Sequence, residues 1–113
     1  MKRIYKGEIY YADLREGKGG EISGSQVPVL VLQNNINNVS CKTTVVVPIS
    51  EKILEKQASN LVLKQFEHIR PGSLIMLEQI RAIDKNRLKG KIGMLNDEQW
   101  DEIYDAIRWL FEM

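Results

Sequence analysis

Cysteine is almost missing from this chain. Cys41 stands alone in 113 residues, so there is no internal disulfide and no cysteine-only metal cluster. Histidine is as scarce, and with His68 as the single imidazole a structural zinc site falls short of nitrogen and sulfur ligands. No apolar run approaches the ~20 residues needed to cross a bilayer. Met1 to Tyr10 carries two early basic residues without the continuous apolar stretch of a secretory signal. Neither sign of charge dominates, with 16 basic against 15 acidic residues and a net charge of +1. That balance neither predicts nor excludes a nucleic-acid partner, because a local basic patch can form on a neutral whole. What remains is ordinary globular material, 43% hydrophobic and 27% charged. The length suits one domain, residues 1–113, with a core of its own. A soluble, cytoplasmic, single-domain protein is the expectation.

Hydrophobic patterning divides the chain into short strands and one long helix. Ile4 to Leu14 reads as a strand with a bulge or bend at Gly7. Arg15 to Gln26 is a glycine-rich polar loop, long enough to suggest function rather than mere connection. Pro28–Leu32 and Thr43–Ile49 are continuous apolar runs, as expected of strands buried on two sides. Between them Gln33 to Asn38 is turn chemistry, since asparagine tolerates left-handed backbone. Ser50 to Gln57 is either a short helix or a loop. Leu61–Leu63 is a short strand, His68 to Ser73 turns at Pro71-Gly72, and Leu74 to Ile83 reads as the longest strand. Lys89 to Met94 adds a last one. The closing helix is marked by Asn96 as a cap, Gln99 as its capping-box partner, and Leu95 with Trp100 as a hydrophobic staple. Trp100, Ile103, Tyr104, Ile107, Leu110 and Phe111 recur on one helical stripe. Short strands followed by a terminal helix predict a mainly β, α+β fold, a small barrel or twisted sheet closed by that helix.

Read in order, these segments resemble the MazF/PemK toxin family along almost the whole chain. Gly7-Glu8-Ile9-Tyr10-Tyr11-Ala12-Asp13-Leu14 is similar to its opening strand, and Pro28 to Asn35 to its second strand and turn. Thr44 to Ser50 is similar to its third strand. Leu77-Glu78-Gln79-Ile80-Arg81-Ala82-Ile83-Asp84-Lys85-Asn86-Arg87-Leu88 is similar to its most recognisable segment, and Ile92 to Leu95 with the helix complete the pattern. The resemblance implies an SH3-like barrel of the CcdB/MazF kind, a homodimer, a cytoplasmic location and binding of an antitoxin protein. It also implies sequence-selective, metal-independent cleavage of single-stranded RNA, messenger RNA included, with no cofactor.

Cleavage without a metal needs a base for the 2′-hydroxyl proton, an acid for the leaving 5′-oxygen, and donors for the crowded phosphate. Each such group is worth on the order of 10²–10⁴-fold. The resemblance assigns this work to a hydroxyl residue ending the third strand and to an arginine just before the second, in a Gly-x-Arg-Pro context. Ser50 fits the first. The second is absent, since Ser23-Gly24-Ser25-Gln26-Val27-Pro28 places Gln26 or Val27 in the arginine slot. Glutamine donates a hydrogen bond but carries no charge, and valine does neither. An inactivated site, a substitute cation (Lys18, Arg15 or Arg81), and binding without cutting are the three explanations.

Other residues have both a functional and a plain reading. Glu21 is a candidate for proton transfer or a solvated loop carboxylate. Gln79 and Arg81 are candidates to line an RNA groove, one for base edges and the other for phosphate, or exposed positions of an edge strand. Lys52, Lys56 and Lys64 form a basic rim or ordinary solvation. His68 beside its turn reads as structural, Trp100 and Trp109 on the helix as core or interface residues, and Cys41 as inert or surface-exposed. A catalytically dead module that binds antitoxin or RNA is the alternative function. A topoisomerase poison of the related CcdB branch fits less well, because the Trp109-Leu110-Phe111-Glu112-Met113 ending does not match that branch's tail.

Overall fold

Hydrophobic alternation and the breaks in it decide which parts of the chain pair. The computed structural model describes residues 3–15, 23–51 and 69–113, and the backbone of 60–63. Within them the order is β1 (Glu8–Ala12), β2 (Val27–Val31), α1 (Asn35–Ser40), β3 (Thr43–Ser50), β4 (Asn60–Leu63), β5 (Ser73–Met76), β6 (Arg81–Asp84), β7 (Leu88–Met94) and α2 (Asp97–Phe111). Two 3₁₀ turns, Leu77–Gln79 and Lys85–Arg87, flank β6. The strands pair antiparallel in the order β4-β5-β3-β2-β1-β7, and β6 adds to β3 beside β5.

The alternation of β1, β2 and β3 divides the core in two. Ile9, Leu30, Val47 and Ile49 face one way and pack with Ile92 and, from α2, Ile103. Tyr10, Ala12, Val29, Val31 and Val46 face the other way and pack with Ile83 of β6 and Leu88 of β7. Both faces of β2 are therefore buried, as its unbroken apolar run predicts. Each fully buried Leu, Ile or Val contributes ~1.5–3 kcal/mol of transfer free energy.

The second cluster forms because the sheet curls until β6 and β7, consecutive in sequence, approach from opposite ends of the order β6-β3-β2-β1-β7. Among the described residues no ladder joins them, so the closed barrel expected from the sequence is corrected to an open, curled sheet. The turn at Lys85–Arg87 spans the seam instead. Lys85 N–H donates to the Lys42 carbonyl (2.9 Å), and Asp13 N–H donates to the Arg87 carbonyl (2.9 Å). Single bonds at a 3₁₀ corner replace the ladder that closure needs.

Three further expectations change. Leu74 to Ile83 is not one strand. β5 pairs with the end of β3 (Ile49 opposite Ile75) and β6 with its beginning (Val46 opposite Arg81), leaving the 3₁₀ turn to take up the surplus chain opposite Val47 and Pro48. Pro48 has no N–H to offer a continuous ladder there. The asparagine turn contains a short helix, α1, because the Asn34 side chain caps it by accepting the Asn37 N–H at 2.9 Å. Asn38 is buried. Its Oδ1 accepts the Thr44 hydroxyl (2.7 Å), and its Nδ2 donates to the Gln33 carbonyl (2.8 Å). The first strand is shorter than Ile4–Leu14, because Gly7 turns the chain at φ +91°.

That glycine is a junction. Its N–H donates to the Val31 carbonyl (2.8 Å), and its own carbonyl accepts the Leu95 N–H (2.9 Å). A Cβ there would meet the Trp100 indole at 3.0–3.3 Å. Helix α2 starts where its capping box predicts, with Gln99 N–H donating to Asn96 Oδ1 (2.8 Å) and Asn96 N–H to Gln99 Oε1 (2.9 Å). Leu95 and Trp100 belong to one cluster, as a staple requires. The apolar stripe is narrower than its sequence suggests. Ile103 is buried, and Ile107 and Leu110 pack partly against the core, but Tyr104 and Phe111 are exposed. Trp109 is 60% exposed and is not a core residue. Cys41 is partly exposed, at the end of α1. Among the described residues no helix is long and apolar enough to cross a membrane.

Candidate functional site

Ser50 is the last residue of β3 and is buried. On one side it lies opposite Leu74 of β5. On the other, the β2–β3 ladder ends at Val29 opposite Pro48, two residues short of Val27 and of Ser50. Ala12 is in turn opposite both Val27 and Leu88. Ser50 with Leu74, and Val27 with Ala12 and Leu88, therefore lie at the same end of the sheet. Strand pairing brings Ser50 and the Gln26-Val27 pair to that end, although they lie far apart in sequence.

Burial separates the two residues that compete for the slot. Val27 packs in the apolar cluster with Ala12 and Val29, while Gln26 is exposed. Chemistry directed outward from the slot falls to the glutamine amide, a donor without charge.

Gln79 and Arg81 lie farther along the same edge of β3. Arg81 is opposite Val46, about 13 Å of strand from Ser50. Gln79 closes the 3₁₀ turn between. Neither is simply exposed: both are half-buried, and Arg81 Nη1 is completely buried. Arg15 follows β1 and is held by Asp13, with Nη2 at 2.7 Å from Oδ2 and Nε at 3.0 Å from Oδ1. That guanidinium keeps the Asp13 carboxyl below its ordinary value. Asp13, Arg15, Asp84, Asn86, Arg87 and Lys89 line a concavity of about 360 Å³ at the seam of the curled sheet. Lys18, Glu21, Lys52, Lys56, Lys64 and His68 lie outside the described residues.

Two residues not singled out from the sequence lie beside the end of β3. Glu51 follows it, and Glu51 Oε2 accepts the backbone N–H of Arg70 at 3.1 Å. The turn at Pro71-Gly72 thus folds back on the end of β3, with the Arg70 carbonyl accepting the Ser73 hydroxyl at 2.5 Å. Arg70 itself is exposed. Nothing local in His68 to Ser73 signals this approach, which depends on the pairing of β5 with β3.

The most perturbed groups are at the other end of β1. Burial raises the Glu8 carboxyl, but donation from Lys91, the Tyr5 N–H and the Tyr10 hydroxyl outweighs it and the carboxyl ends below its ordinary value. Lys91 Nζ is 2.7 Å from Glu8 Oε2. The Tyr10 phenol is pushed well above its ordinary value by burial and by the Glu8 carboxylate. Among the described residues no three His, Cys, Asp or Glu side chains gather to hold a metal ion.

Residues 5–111 match the model of a family described as PemK-like, MazF-like toxin of type II toxin–antitoxin system. Endoribonuclease EndoA of Bacillus subtilis (strain 168) is 39% identical over 108 residues, which is 93% of this chain and 91% of that protein. Endoribonuclease MazF of Staphylococcus saprophyticus is 36% identical over 104 residues, covering 90% and 86%. In fold, the chain is similar to MazF of Deinococcus radiodurans, with a TM-score of 0.84 at 15% identity and full coverage of both chains. It is also similar to a mycobacterial endoribonuclease solved with its cognate antitoxin, with a TM-score of 0.77 at 17% identity over 100% and 97% of the two chains. This chain belongs to the PemK-like, MazF-like family of type II toxin–antitoxin toxins.

Proposed function

We propose that this chain is the endoribonuclease toxin of a type II toxin–antitoxin system: one domain, residues 1–113, acting in the cytoplasm as a homodimer. It cuts single-stranded RNA, messenger RNA included, in a sequence-selective reaction that needs no metal and no cofactor, and a cognate antitoxin protein holds it in check. Family membership over almost the whole chain carries the reading, together with two relatives above 30% identity that are both named endoribonucleases. Ser50 works at the scissile phosphate, with the Gln26 amide as a neighbouring donor and Glu21 a candidate for proton transfer. Gln79, Arg81 and Lys18 are the candidates to hold the RNA.

The test is incubation of the purified, folded protein with long single-stranded RNA in excess chelator. Discrete fragments with 2′,3′-cyclic phosphate ends support the proposal. Intact RNA from a well-folded dimer refutes the nuclease.

One observation favours a second reading, a binding module for antitoxin or RNA without catalysis: the residue facing outward at the arginine slot is the uncharged Gln26. A charged, bidentate phosphate partner is worth several kcal/mol more than a neutral donor. Under this reading the unmodified chain leaves RNA intact and Gln26→Arg gains cleavage.

A further inference from the structure

We infer that Arg70 supplies the phosphate-binding cation of the Ser50 site, from the turn before β5 rather than from the strand edge before β2. The inference rests on the reading of this end of the sheet as an RNA site.

Position is the first argument. The Arg70 backbone is tied to the residue after Ser50 by the 3.1 Å bond from its N–H to Glu51 Oε2. Its carbonyl is tied to Ser73, which precedes the residue paired with Ser50. Ile69, next to it, is buried in the core cluster. The arginine Cα is therefore anchored on three sides, within side-chain reach of the end of β3.

Availability is the second. Arg15 is engaged bidentately by Asp13 and follows β1, two strands from β3 in the sheet order. Arg81 is opposite Val46 and has a buried Nη1, so its guanidinium is not free to follow a phosphate at Ser50. Arg70 is exposed, and no ion pair among the described residues engages it. The planar guanidinium fork is pre-organised, so it loses less freedom per hydrogen bond to a phosphate than an ammonium does.

The side chain takes no part in the anchoring bonds, since the N–H and carbonyl that make them are backbone. Arg70→Ala should therefore fold like the parent, with a melting temperature that verifies it. Two readouts follow. Binding is measured with a mixed-sequence, single-stranded RNA carrying 2′-O-methyl groups, which removes the attacking hydroxyl. Across a salt series, Arg70→Ala should weaken binding roughly 10-fold or more and reduce the slope of log K against log salt by about 0.7, the value for one phosphate contact. Arg70→Lys should keep the slope. Arg3→Ala, near the Val31 end of β2 and stacked over Tyr5, should change neither.

Cleavage of the unmethylated RNA is the second readout. Arg70→Ala should lower its rate on the order of 10²-fold, and Arg70→Lys should restore only part, because an ammonium lacks the bidentate fork. Unchanged affinity and slope in Arg70→Ala overturn the inference, as does a parent chain that does not bind the RNA. If binding responds to Arg70 but no chain cuts, the nuclease reading fails while Arg70 stands as the phosphate contact.

Discussion

Replacing Gly7 by alanine tests the junction between the strands and helix α2. The residue sits at φ +91°, where an L side chain is strained by ~1–2 kcal/mol. The new methyl would also press on Trp100, 3.0 Å from Nε1 and 3.2 Å from Cζ2. Overpacking of that kind costs ~1–3 kcal/mol. Trp100 has little room to yield. Its ring stacks on Tyr104 at 5.2 Å between centroids, and Lys6 Nζ lies 4.7 Å above it. The expected loss is ~2–5 kcal/mol. At ~2.1 cal/mol/K per residue, that lowers the midpoint of a chain this size by roughly 8–20 °C. The assay is thermal and denaturant unfolding at one fixed protomer concentration, since association shifts apparent stability. Trp100→Phe removes the Nε1 and Cζ2 atoms that the methyl meets. The double mutant should recover at least ~1 kcal/mol relative to the sum of the singles. Additivity within ~0.5 kcal/mol would refute the steric part. A loss below ~1 kcal/mol for Gly7→Ala alone would refute the backbone part as well.

Five other outcomes follow. Asn96→Ala removes the capping box and should cost ~1 kcal/mol, seen as an earlier helix transition by circular dichroism. Asn38→Leu strands the Thr44 hydroxyl and the Gln33 carbonyl and should cost ~2–4 kcal/mol in urea, whereas Thr44→Val, which leaves Asn38 its bond from Gln33 Nε2, should cost ~1 kcal/mol. Glu8 titrates below its ordinary value of 4.5, so its stabilisation is complete above that pH and is lost as pH falls through the lowered native value; Glu8→Gln should flatten the acid limb of a stability–pH curve. Tyr10 has the opposite sign: its contribution is complete below its ordinary value of 10.0 and fades as pH rises beyond it, and Tyr10→Phe should remove that alkaline loss. For the proposed reaction, Ser50→Ala should lower cleavage by on the order of 10²-fold, read on the same RNA in chelator.

Local chemistry was legible in the sequence. The Asn96–Gln99 capping box and the apolar runs of β2 and β3 depend on neighbours within a few residues, and they form where those residues stand. The errors share a different cause. The break in Leu74 to Ile83 depends on Pro48, some thirty residues earlier, because a strand continues only as far as its partner can pair. Asparagine carries two instructions, and at Asn34 helix capping overrode the turn. Tyr104 and Phe111 stand on the apolar stripe yet are exposed, because a helical stripe says which residues share a face, but not how far the opposing sheet extends. For the candidate site, Ser50 and the Gln26-Val27 pair could be named from their strands alone. Their placement at one end of the sheet and the approach of Arg70 are consequences of register, which a linear text specifies only through its partners.

The pairing of β1 with β7 has a consequence for the birth of the molecule. Glu8 is opposite Met94, so the first strand made waits for nearly the last before one of its edges is covered. The loop closed by that contact spans most of the chain, and contacts of such high sequence separation slow folding toward the millisecond-to-second range. On the ribosome, β1 to β3 can pair while the rest is being synthesised, but their outer edge stays bare and α2 is absent. A chain cut short before Leu88 would carry an unpaired, largely apolar strand edge, the kind that templates aggregation. Full-length synthesis thus acts as a checkpoint, and truncated products should partition into the insoluble fraction instead of accumulating as partly folded protein.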